Sequence, residues 1–268
     1  MKIVADSGST KTKFALTSEE SENRFVLTDG INPFYQTTDD IVSTLTKQLL
    51  PEIADTSTVE SIEFYGAGCT KEKSPIVAEA LKTIFKNASI TVDTDLTGAA
   101  KALCGSEAGI ACILGTGSNS CLWDGEKIAR NVSPLGFILG DEGSGAVLGK
   151  LLIADILKNQ APTEICEKFN KKYGLTAADI IDRVYRKQFP NRFLASFAPF
   201  LSENIENAYC RTLVYNAFVS FIRRNLKQYP DVYTVSFTGS VAYHFKEILT
   251  KAVKDEDMKL GIINKSPL

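Results

Sequence analysis

The chain has 268 residues, 44% hydrophobic and 23% charged, with a formal net charge of -2. That is the balance of a soluble globular protein, long enough for one large domain or two modest ones, and it carries no basic footprint for nucleic acid. With no leader-type apolar segment and no apolar run of about 18 residues, a cytoplasmic protein without a membrane partner is expected. Six cysteines, at 69, 104, 112, 121, 166 and 210, form no C-x-x-C pair and lie mostly in apolar runs, so buried reduced thiols are expected. His244 is the one histidine, which disfavours a Cys/His zinc site.

Lys2-Ile3-Val4-Ala5 reads as a strand ending at Asp6, followed by the polar loop Ser7-Gly8-Ser9-Thr10-Lys11-Thr12 and a second strand at Lys13-Phe14-Ala15-Leu16. Arg24 to Thr28 is a third strand, closing at Asp29-Gly30. Ile31-Asn32-Pro33 then precedes a helix with Ile41, Val42, Leu45 and Leu49 on its apolar face. Ile62 to Tyr65 is a fourth strand, stopped by Gly66-Ala67-Gly68, and Pro75 opens a helix bearing Val77, Ala80, Leu81 and Ile84. Ser89 to Val92 is a fifth, with Asp93-Thr94-Asp95 at its end and a small-residue helix from Leu96 to Leu103. The order is βββαβαβα.

The opening pattern then returns. Strands are expected near 110–114, 120–123 and 127–130, and the loop Gly115-Thr116-Gly117-Ser118 separates the first two. Gly8 and Gly117 stand at matching places, as in an internal repeat of strand, loop and strand. Glycines let a backbone turn its N–H groups toward an anion, and the neighbouring hydroxyls add donors, so both loops suit phosphate. Neither is a Walker P-loop or a G-x-G-x-x-G fingerprint, because a strand follows each loop where those motifs open a helix. Leu139-Gly140-Asp141-Glu142-Gly143-Ser144-Gly145 opens a helical run at Val147, Leu148, Leu151, Leu152 and Ile156. A long helical region reaches about Tyr229, with Ala208 to Leu226 its longest helix. Tyr233 to Phe237 is a further strand, then Thr238-Gly239-Ser240 and a helix through Val253.

Three glycine-bearing loops in this order resemble the phosphate 1, phosphate 2 and adenosine motifs of the sugar kinase, heat-shock protein 70 and actin superfamily, at Asp6–Thr12, Leu114–Asn119 and Phe237–Ala242. With Leu139-Gly140-Asp141-Glu142-Gly143-Ser144-Gly145, the chain resembles the N-acetylglucosamine kinase-like branch of the BadF/BadG/BcrA/BcrD-type ATPase family. The resemblance implies an α/β fold of two RNase H-like (actin-like ATPase) domains, 1–106 and 107–268, with mixed five-stranded sheets flanked by helices and a cleft between them. A helical insertion belongs to the second domain. It implies ATP and Mg²⁺ as cofactors and phosphorylation of an amino sugar hydroxyl, with N-acetylglucosamine 6-phosphate as the favoured product. N-acetylmuramic acid, glucosamine and glucose stay open, and so does a homodimer.

Asp6 is the expected Mg²⁺ ligand, because a carboxylate repels phosphate directly but holds a hydrated cation beside it. Ser7, Gly8, Ser9, Thr10, Lys11 and Thr12, with Gly115, Thr116, Gly117, Ser118, Gly239 and Ser240, are the expected nucleotide contacts. The family's T-D-A-A-G pattern falls on Thr94-Asp95-Leu96-Thr97-Gly98, making Asp95 the expected base and a sugar contact, with Asp93 its competitor. Asn32, Gly136 and Asp141 are the other expected sugar contacts. Leu135-Gly136-Phe137 departs from the Gly-Trp-Gly of animal N-acetylglucosamine kinases, which leaves the exact amino sugar open.

Each assignment has a plainer competitor. Asp93 or Asp95 would cap the next helix, Asp141 and Glu142 would complement its dipole, Asn32 would form a turn, and Ser240 with its neighbours would only start a helix. His244 reads as structural. Two other functions compete: an ATPase that activates a dehydratase or reductase through a cysteine-held iron–sulfur cluster, and an actin-like ATP-gated binding module.

Overall fold

A computed structural model describes residues 1–8, 10–18 and 21–268. The chain divides into two compact units, Met1–Ala102 with Pro267–Leu268, and Leu103–Ser266.

The first unit holds β1 (Lys2–Ser7), β2 (Lys11–Ser18), β3 (Ser21–Asp29), α1 (Thr38–Gln48), β4 (Ser61–Gly66), α2 (Ser74–Ile84), β5 (Ser89–Thr94) and the start of α3 (Asp95–Cys104). Its sheet runs β3-β2-β1-β4-β5, with β2 antiparallel to both neighbours and β1, β4 and β5 parallel. Alternation along β1 sends Ile3 and Ala5 into a core with Phe14, Phe64, Leu45 and Leu81. Thr37 and Asp40 close a reciprocal capping box that fixes where α1 begins.

The strands run further than the sequence pattern predicts. Part of the loop expected over Ser7–Thr12 is strand, because β1 continues through Ser7 and β2 begins at Lys11. Ser7 then falls on the same strand face as Ile3 and Ala5, and faces inward.

The second unit repeats the design with β6 (Gly109–Leu114), β7 (Ser118–Trp123), β8 (Ile128–Asn131), β9 (Val235–Thr238) and β10 (Leu260–Asn264) in the order β10-β9-β6-β7-β8. Again three antiparallel strands are extended by two parallel ones. The strand β10 went unread: it is five residues long and its register slips between Leu260 and Ile263.

Between β8 and β9 lie α4 (Gly136–Leu139), α5 (Gly145–Leu157), α6 (Thr163–Tyr173), α7 (Ala177–Tyr185), α8 (Pro190–Ala195), α9 (Ala198–Glu203) and α10 (Ala208–Arg224). The single helix expected after the last glycine loop breaks at Phe245 into α11 (Ser240–His244) and α12 (Lys246–Asp255). Leu148, Leu152, Phe218, Phe221 and Phe237 lie in this unit's core. Among the described residues no helix is long and apolar enough to cross a membrane.

Candidate active site

In the first unit the β1–β2 turn is closed by Gly8 N–H donating to Lys11 O at 3.0 Å, and Thr10 O accepts from Gly30 N at 3.1 Å. Gly8, Thr10 and Lys11 are exposed; Ser9 lies outside the described residues. Ser7 and Thr12 are fully buried, and their hydroxyls share a 2.6 Å hydrogen bond while both accept from Ile31 N. These two hydroxyls, expected to face a nucleotide, instead brace the base of the turn. The cause is the continued strand alternation.

Asp6 points to the opposite face of β1, paired across the strands with Lys13. Burial raises its carboxyl to about 6, and the Lys13 charge opposes that rise. Asp95 is the first residue of α3. Its carboxyl also rises to about 6, first by burial and then by the charge of Asp6, while hydrogen bonds from the Leu96 and Asp95 backbone oppose the shift. The two acids are therefore near enough to repel each other.

Thr94, and neither aspartate, performs the capping: Thr97 N donates to its Oγ1 at 3.1 Å. Asp93 spends Oδ1 on Thr94 N at 2.6 Å. Asp93 lies in β5, whereas Asp95 already belongs to α3. Gly98 is required here, since a Cβ would sit 2.6 Å from Tyr65 Cβ and push α3 off β4.

Asn32 is 7% exposed. Its Oδ1 accepts from Phe34 N at 3.0 Å, which is a turn-forming bond, and its N–H donates to Gln36 Oε1 at 2.7 Å. Gly68, at φ +81, lies so close that a Cβ would meet Asn32 Oδ1 at 2.3 Å. Next to it, burial and the charges of Asp95 and Asp93 push the Cys69 thiol up to about 12. The Gly66–Cys69 loop thus lies by both Asn32 and Asp95, a link the sequence signalled only as glycine punctuation. Phe34 and Tyr35 stand exposed beside it.

In the second unit the β6–β7 loop is held by a helix. Gly145 N donates to Gly115 O at 2.8 Å and Ala146 N to Thr116 O at 3.0 Å, so loop carbonyls satisfy the first N–H groups of α5. Ser144 caps the same helix through Val147 N. Asp141, at φ +54, sets its carboxylate against the loop, with Ser118 N donating to Oδ1 at 3.4 Å. Burial, before all else, raises this carboxyl to about 6. Expected as a sugar contact, Asp141 is placed with Gly117 and the buried Ser118. Gly136 is exposed at φ +73 at the start of α4. Glu142 turns away to Arg224, 2.6 Å from its Nε, and ties the loop to the end of α10.

Gly239 has φ +117, and a Cβ there would meet Leu114 O at 2.3 Å. Only glycine lets the third loop rest on the end of β6. Ser240, Gly115 and Thr116 together line a pocket of about 350 Å³, whose other walls include Ala198, Pro199, Val241 and Phe245. Glu203 and His244 are the ionisable side chains of its lining. His244, read as structural, faces this pocket; no local sequence signal ties 195–203 to residues 115 and 240.

No family model and no curated protein matches the chain. Among solved structures, a Porphyromonas gingivalis protein provisionally named N-acetylglucosamine kinase shares 48% identity, covering 100% of this chain and 95% of its own, with a TM-score of 0.96. A Chromobacterium violaceum protein of the same provisional name shares 17% identity over 99% of this chain and 95% of its own, at a TM-score of 0.73. A ROK family glucokinase from Streptomyces griseus, in complex with glucose and AMPPNP, shares 16% over 100% and 94%, at 0.59.

Repeated sheets of this order, each with a glycine loop after its first strand, define the fold class of the sugar kinases, heat-shock protein 70 and actin. Within that class the chain belongs to the N-acetylglucosamine kinase-like branch of the BadF/BadG/BcrA/BcrD-type ATPase family.

Proposed function

We propose that this protein is an ATP-dependent sugar kinase that moves the γ-phosphoryl group of ATP to the 6-hydroxyl of N-acetylglucosamine. The two units act as its two domains. The observation that carries the reading is the placing of Asp6, on β1, near Asp95, the first residue of α3, whose carboxyl is raised to about 6 by burial and then by the Asp6 charge. A base poised near the working pH is ionised in use yet still takes a proton.

In this reading Asp95 accepts the proton of the sugar hydroxyl as that oxygen bonds to the γ-phosphorus. The bond to the bridging oxygen breaks, and ADP leaves with the electron pair. The backbones of Gly8, Thr10 and Lys11 and of Gly115, Thr116 and Gly117 supply the polyphosphate contacts. Ser7, Thr12 and Ser118 shape these turns from beneath. Asn32 orients the sugar through its side-chain amide, with the exposed Phe34 as an apolar face beside it.

Among the described residues no group of three or more His, Cys, Asp or Glu side chains gathers. Mg²⁺ does not need one, since it is usually held by one or two carboxylates together with water and substrate phosphates. Asp6 fits that donor set, and the cation would neutralise charge developing on the phosphates.

The electron-transfer alternative finds no support in the thiols. Cys69, Cys112, Cys121 and Cys210 are buried and Cys104 and Cys166 half-buried, where a cluster shared between subunits needs them at a surface. The test is ADP release over N-acetylglucosamine, N-acetylmuramic acid, glucosamine and glucose, with NMR of the product. N-acetylglucosamine should turn over fastest and carry phosphate at O6; release without a phosphosugar would reject the reading.

A further inference from the structure

We infer that Glu203, on the helical insertion of the second unit, is the residue that selects adenine through its exocyclic amine. The inference rests on the kinase reading for the identity of the ligand. Its geometry is separate.

The pocket that includes Gly115 and Thr116 of the phosphate loop is continuous with Ala198, Pro199, Val241 and Phe245. Its volume of about 350 Å³ suits a nucleoside, and apolar walls suit the faces of a planar base. A base held only by such walls would be chosen for shape alone. Glu203, the last residue of α9, is one of the two ionisable residues of this lining.

That carboxylate is held in place. Lys172 of α6 donates to Oε1 at 2.6 Å and to Oε2 at 2.5 Å. Each carboxylate oxygen has two lone-pair sites, so acceptor capacity remains after the lysine has taken its share. A carboxylate offers no donor, and the adenine amine is the donor that a six-substituted purine presents at its edge. A purine lacking that amine leaves the carboxylate without its partner.

The probes are ATP and purine riboside triphosphate, which lacks the amine and puts no other donor in its place. Binding is measured by calorimetry on the whole chain with Mg²⁺ and no sugar. The wild type should bind ATP about tenfold more tightly than the analogue, a difference of about 1.4 kcal/mol. Glu203→Ala should weaken ATP to the level of the analogue and leave analogue binding unchanged. Glu203→Gln, which keeps an acceptor oxygen, should recover part of the preference.

Equal weakening of both nucleotides would make Glu203 merely structural and overturn the inference. Equal binding of both by the wild type would also overturn it. If both nucleotides bind with the predicted preference but no sugar is phosphorylated, the base assignment stands and the kinase reading falls.

Discussion

The two glycine loops begin from one sequence pattern and are finished in opposite ways. At β1–β2 the turn is short and braced from within, by the buried hydroxyls of Ser7 and Thr12 against Ile31. At β6–β7 the support comes from elsewhere in the chain, as α5 donates its first N–H groups to loop carbonyls and Asp141 closes on Gly117. A self-braced turn leaves the neighbouring strand end clear for the acid that follows its last apolar residue, Asp6. A helix-braced loop spends its surroundings on rigidity. In the proposed reading the same motif thus serves a chemical half and a gripping half, and the difference lies in what sits behind the loop.

Four substitutions sharpen or break that contrast. The largest effect is expected at the chemical half: Asp6→Asn should lower turnover about a thousandfold at fixed Mg²⁺, with a weaker dependence on the cation in a titration. The next belongs to the gripping half. Gly239→Ala should cost on the order of 3 kcal/mol in urea unfolding, because φ +117 disfavours alanine and Leu114 O blocks its Cβ at 2.3 Å.

The third separates function from stability. The folded-state carboxyls of Asp6, Asp95 and Asp141 stand at about 6, above the ordinary aspartate value of 3.8, so folding favours their protonated forms. Their stabilising contribution is full below pH 4 and is lost as pH rises through 6. Asp95→Asn should therefore melt higher than the wild type at pH 7.5, by about 2 kcal/mol without ligands, and the advantage should vanish near pH 4. An advantage independent of pH would contradict the burial of that charge.

The smallest effect is at Gly8. Its Cβ would find only Lys11 O at 3.7 Å, so Gly8→Ala should stay within about 0.5 kcal/mol of wild-type stability. A cost like that of Gly239→Ala would erase the distinction between the halves.

Much of this was legible in the chain. Alternation and glycine spacing exposed both loops, whereas Asp95 was picked out by the resemblance of Thr94–Gly98 to the family's T-D-A-A-G pattern, the residues alone leaving Asp93 and a capping role open. The inward aim of Ser7 and Thr12 was hidden because a polar run looks like loop, although period-2 alternation from Ile3 and Ala5 already pointed Ser7 inward. Glu142 could not be separated from Asp141 by position. Its partner Arg224 lies at the far end of the helical region, and only folding brings the two together. The pocket wall made by Ala198 and Pro199 carries no motif, since an apolar surface needs shape and not a fixed residue type. The strand β10 was lost because its short Leu260–Asn264 run relies on β9 for its register.

The most direct measurement is sugar-dependent ADP release by wild type and Asp95→Asn, with ATP affinity followed in parallel. The account predicts that N-acetylglucosamine turnover falls about a thousandfold in the variant while ATP binds as before, and that wild-type kcat/KM climbs with pH through about 6. Turnover retained in Asp95→Asn would contradict it.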